Sequence, residues 1–106
     1  MADPVYVVLC TVPTRDLALE LARTVVDERL AGCVQVLPGL TSVYRWNDAV
    51  QQDDEVLMVL KAPAARLEAL EARLVALHPY DVPEFVALRA DRVALQYASW
   101  LDSSTR

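Results

Sequence analysis

The chain has 106 residues, 55% hydrophobic and 24% charged, with a net charge of −5. A chain of this length makes one domain, and so large an apolar fraction fills a core without disulfide or metal staples. Intrinsic disorder is excluded, no apolar run approaches the roughly 20 residues of a membrane helix, and ten scattered basic residues against fifteen acidic ones do not make a nucleic-acid surface.

The opening Met1-Ala2-Asp3-Pro4 has no basic segment, and Asp3 carries the wrong charge for a secretory signal, so a cytoplasmic protein is expected. Cys10 and Cys33 form neither a CxxC nor the dense spacing of a secreted disulfide scaffold, and both are expected to be reduced.

Val5 to Val12 (VYVVLCTV) is a continuous apolar, β-branched run ended by Pro13, the pattern of a central strand covered on both faces. Thr14 or Asp16 then caps an amphipathic helix with Asp16, Glu20, Arg23 and Asp27 on its wet side, running to about Ala31 with Gly32 as its C-cap. Cys33 to Leu37 reads as a strand, Pro38-Gly39 as a bulge or bend, and Thr41 to Trp46 as the strand resumed. Asn47-Asp48 is a turn pair that tolerates positive φ. Val50 to Lys61 returns as a strand, wet through Asp53-Asp54-Glu55 and apolar from Val56 to Leu60. The turn-proximal half of this long hairpin must project beyond the domain's own core.

Pro63 at a helix start and Leu67, Leu70, Leu74 and Leu77 at helical spacing predict a second amphipathic helix, stopped at His78-Pro79. The segment through Pro83 is extended, Glu84 to Arg89 is a last strand, and Val93 to Leu101 a short terminal helix.

The order β-α-β-β-α-β plus a helix predicts an α+β, ferredoxin-like fold: one four-stranded sheet with helices on one face, the first strand central and antiparallel to the last. The other face has no helix assigned to it, and further copies of the chain are its simplest cover. Tyr44 and Trp46, near the hairpin tip, are the expected interface anchors.

One histidine limits the chemistry. This topology gathers Cys10, His78 and Glu84 at one end of the sheet, and thiolate, imidazole and carboxylate together suit copper or zinc. The same residues have plain structural readings: Cys10 as a small buried hydrophobe, His78 bonding a carbonyl at the helix end, Glu84 paired with an arginine. Catalysis is not expected. No Gly-x-Ser-x-Gly, HExxH or paired-cysteine zinc motif is present, and two glycines cannot build a phosphate-cradling loop. Three consecutive acids at 53–55 cannot converge on one ion from a strand, because alternate side chains face opposite ways.

VVLCTVP, ERLAGCVQVLPGLTSVYRW, DEVLMVLK, LHPYDVPEFVAL and YASWL, in this order across nearly the whole chain, resemble the CutA family, the divalent-cation tolerance proteins. The resemblance implies a homotrimer built through the long hairpins, similar in architecture to the nitrogen-regulatory PII trimers, with a role in the response to metal ions, copper or another divalent cation as ligand, and no established catalytic activity. Carried over residue by residue, it points to Cys10, His78 and Glu84 as metal ligands. Some relatives have a second histidine immediately before the HPY, where this chain has Leu77, and family members usually have a W-x-G-K hairpin turn, where it has Trp46-Asn47-Asp48-Ala49. Two other readings stand beside this one: a PII-like signalling trimer binding a small molecule between subunits, and a stable trimer that scaffolds a partner protein.

Overall fold

The computed structural model describes residues 3–106. The elements follow in the order β1 (Val5–Val12), α1 (Arg15–Asp27), β2 (Cys33–Trp46), β3 (Ala49–Pro63), α2 (Ala64–Leu77), β4 (Val86–Arg89) and α3 (Leu95–Ser104). The strands form one antiparallel sheet in the order β2-β3-β1-β4, the arrangement expected from the sequence, with β1 central between β3 and β4.

The pleat divides the sheet into two faces. Val8, Cys10 and Val12 of β1 and Val56, Met58, Leu60 and Ala62 of β3 meet Ala18, Leu21 and Val25 of α1 and Leu70 and Leu74 of α2 in one core. The alternate residues, Val7, Leu9 and Thr11, pair with Lys61, Val59 and Leu57 across β3. They continue to Leu37 on one side and to Val86 and Leu88 on the other. No helix of the core covers this second face, and Leu37, Val86 and Leu88 remain about half exposed.

The helix starts are fixed from outside the helices. Thr14 Oγ1 accepts from the Leu17 amide at 3.2 Å, an N-cap as anticipated. Pro63 begins α2 without a side-chain cap of its own; the Asp3 carboxylate accepts from the Ala65 amide at 3.3 Å, and the Pro4 carbonyl accepts from Ala64 at 2.8 Å.

The end of α1 corrects the sequence reading. The helix stops at Asp27, and Arg29, not Gly32, takes the left-handed conformation at φ 62°. Leu30 N donates to Val25 O and Arg29 N to Val26 O, the paired bonds of a Schellman end. Gly32 serves packing instead: a Cβ there would collide with the Leu101 side chain of α3, which is fully buried.

Three further boundaries move. The last strand begins at Val86 rather than Glu84, after a run that contains Pro83 and its missing amide. The terminal helix is displaced to Leu95–Ser104, and β3 starts at Ala49, directly after the turn. Asn47 and Asp48 both have positive φ, at 51° and 60°, as a two-residue hairpin turn requires. In β2 the register shifts between Leu37 and Leu40, a bulge at Pro38-Gly39 with Gly39 at φ 88°.

Candidate functional site

The C-terminal end of β1 is where the chain's chemistry concentrates. His78, the residue after α2, turns its ring to this strand end: Nε2 lies 2.8 Å from the Thr11 carbonyl oxygen, and Nδ1 accepts from the Tyr80 amide at 3.2 Å. A carbonyl can only accept, so the ring carries its proton on Nε2, and both nitrogens are engaged. The Tyr80 ring stacks obliquely on the imidazole with centroids 4.7 Å apart.

The Tyr80 hydroxyl donates to Glu55 Oε2 at 2.7 Å. Burial, followed by this bond to a carboxylate, pushes the phenol well above its ordinary value. Glu55 is 8% exposed, and it forms no ion pair among the described residues. Sequence reasoning placed it in a wet acidic run. Its one signal is its position at the boundary with the buried stretch from Val56 to Leu60.

Beside Glu55 an open groove of about 780 Å³ runs between the hairpin and the segment after α2. Its walls include Tyr44 and Trp46 from β2, Tyr80 and Glu84 from the extended segment, and Glu55 from β3. The bulge adds one residue to β2, so Leu40 lies opposite Glu55, and Ser42 and Tyr44 share a face with Asp53 and Gln51. Tyr44 accordingly donates to Asp53, which raises its pKa, while Asp54 points the other way and accepts from Thr41 Oγ1 at 3.4 Å.

Of the three sequence-predicted ligands, Glu84 lines this groove, whereas Cys10 belongs to the helix-side core at 1% exposure. The topology does bring Cys10, His78 and Glu84 to one sheet end, but the pleat sends the thiol to the helices and leaves the carboxylate on the groove side. Burial pushes the Cys10 thiol up from 9.0 to about 12, with the charges of Glu84 and Glu55 adding to the effect. A protonated core thiol and an imidazole with both nitrogens bonded do not fit a bound copper or zinc ion in this arrangement. Among the described residues no group of three His, Cys, Asp or Glu side chains converges as a metal site. Leu77, where some relatives have histidine, ends α2 and offers no ligand.

The family model for the CutA1 divalent ion tolerance protein matches residues 6–104. The chain belongs to the CutA1 family. The divalent-cation tolerance protein CutA of Thermus thermophilus is 46% identical over 99 residues, covering 93% of this chain and 96% of the relative. The chloroplastic CutA of Arabidopsis thaliana is 44% identical over 103 residues, 97% of this chain but 57% of that longer protein. Among solved structures, CutA1 of Oryza sativa superposes with a TM-score of 0.95 at 42% identity, covering 99% of this chain and 96% of that one. CutA of Xylella fastidiosa superposes with a TM-score of 0.94 at 35% identity, covering 97% and 99%. The CutA1 fold therefore extends over the whole described chain, including the hairpin and the groove beneath it.

Proposed function

We propose that this CutA1 chain acts as a cytoplasmic homotrimer in the response to divalent metal ions, taking up copper or another divalent cation transiently and catalysing no reaction. Family membership supports the metal-ion role. The observation that carries the cation reading is the pair Glu55 and Glu84, two carboxylates lining one groove with no basic partner among the described residues. Of the three residues singled out in the sequence, Glu84 meets the cation, while Cys10 and His78 hold the end of β1 in place. Oxygen ligands without a converged thiolate–imidazole set suit loose, exchangeable binding rather than a structural metal.

The trimer is supported by the uncovered second face of the sheet, where an apolar stripe from Leu37 through Leu9 to Leu88 faces outward, and by a hairpin that stretches the subunit to 47 Å along one axis against 26 and 23 Å along the others. Native mass spectrometry of the reduced protein with Cu(I), Cu(II) and Zn(II) tests both parts. The expected result is a trimer with metal adducts that Glu84→Gln diminishes and Cys10→Ser leaves in place. A trimer that stays metal-free ends the cation reading, and adducts lost with Cys10→Ser but kept with Glu84→Gln move the ligand into the core.

A further inference from the structure

We propose that α3 makes a second contact between subunits: the flank carrying Tyr97 and Trp100 packs on the β4 side of a neighbouring copy, at the end of the sheet away from the hairpin arm. The inference rests on the trimer reading above and adds to it a surface that the hairpins do not supply.

The first observation is how α3 is held. Leu101 is fully buried beside Gly32, where a Cβ would collide with it. The Thr105 carbonyl accepts from Arg66 Nε at 2.6 Å, which pins the last turn to α2. The helix therefore presents a fixed flank.

The second is what lies alongside. The Tyr97 phenol stands against the Cys33 thiol; burial first, and then this contact, raise it above its ordinary value. Cys33 pairs with Lys61, Lys61 with Val7 and Val7 with Leu88, one row across all four strands on the face that no helix of the core covers. Lys61 lends its stem to the row and donates from its ammonium to Gln35 Oε1 at 2.5 Å. So α3 borders the open face along the β2 edge, and Tyr97 carries that face onto the helix.

The third is the flank itself. At 100° per residue, Tyr97 and Trp100 fall on one side of the buried stripe of α3 and Leu95 on the other. The two rings lie 5.6 Å apart, and between a third and a half of each residue is exposed. Tyrosine and tryptophan are enriched where interfaces bury most completely.

Ring closure names the occupant. In a cyclic trimer every contact joins two different patches. The free edges of the sheet are β2 and β4. The α3 flank stands beside the first, so it meets the second edge of the next copy, where Val86 and Leu88 are about half exposed.

The test is subunit exchange: unlabelled and isotope-labelled protein are mixed, and mixed trimers are followed by native mass spectrometry. Trp100→Glu should speed exchange by about tenfold or more, because losing a central aromatic contact acts on dissociation. Leu95→Glu puts the same charge on the same helix, on the other flank, and should leave the rate unchanged. Trp100→Ala should act in the same direction with helical circular dichroism intact, and it carries the test if the glutamate unfolds α3. Equal acceleration by Trp100→Glu and Leu95→Glu, or none by Trp100→Ala, overturns the proposal. A monomeric wild type sinks the trimer reading and this contact with it; a wild-type trimer whose exchange ignores Trp100 sinks the contact alone.

Discussion

His78 Nε2 donates to the Thr11 carbonyl oxygen across 2.8 Å, tying the residue that ends α2 to the last turn of the pleat in β1. The same ring accepts from the Tyr80 amide and so fixes the start of the groove wall. His78→Ala removes both bonds from a nearly buried position and should cost about 2 kcal/mol. Chemical denaturation measures the loss, and a change within the noise of the wild type would show that solvent replaces the ring without penalty.

The Arg29 backbone predicts a gain. A non-glycine residue held at φ 62° pays for its Cβ, and Arg29→Gly should stabilise the protein by up to about 1 kcal/mol. Gly32 predicts the opposite. Gly32→Ala drives a methyl into Leu101 and should cost about 1–3 kcal/mol, with α3 loosening first in hydrogen exchange. If the two substitutions had equal effects, the assignment of the helix end to Arg29 would fail.

Cys10 sets an alkaline limb on stability. Its folded pKa, about 12, lies above the ordinary value of 9.0, so the unfolded chain gives up this proton first as pH rises. The contribution is fully present below about pH 9 and drains away between there and pH 12. Tyr80, also raised, adds a loss above its ordinary value of 10.0. Cys10→Ala should flatten the curve between pH 9 and 10. In the native protein, Cys33, half-buried near the surface, should react with a thiol reagent well before Cys10.

The uncovered sheet face predicts the assembly. Light scattering at micromolar concentration should find a trimer, and Leu88→Glu, which puts a charge on the open face beside Val7, should dissociate it while leaving the helical circular dichroism intact. Trp46→Ala should loosen the assembly more than the fold. A wild-type monomer would leave the apolar stripe without a partner.

Long periodic segments were legible in the sequence because a single force writes them. The leucines of α2 and the unbroken apolar run of β1 declare the helix face and the central strand, and the order of elements then allows one topology. Gly32 misled because a glycine after a helix resembles a cap, while the left-handed residue is an arginine that no propensity picks out. At the site, topology correctly placed Cys10, His78 and Glu84 at one sheet end. Which face each side chain takes depends on a pairing register that the sequence does not display, and that is why the thiol lies in the core and the carboxylate in the groove. Glu55 went unread for the same reason. Its burial comes from Tyr80, 25 residues away, closing over it.

The bulge at Pro38-Gly39 has a consequence for how this protein can vary. A bulge absorbs the extra residue on one arm of a hairpin by kinking and twisting that strand, so the pairs on both sides of it keep a common face. Lengthening or shortening the chain at the Asn47-Asp48 tip would change only the reach of the arm. Deleting a single residue at position 38 or 39 would remove the bulge and run the inner register straight through to the tip. Leu40 would still face Glu55, and Ser42 and Tyr44 would still share a face with Asp53 and Gln51, while the local bend and extra twist of the arm are lost. The count of residues between Leu37 and Leu40 therefore sets the direction in which the arm leaves the core, while the direct pairing of the outer strands sets which way its side chains face.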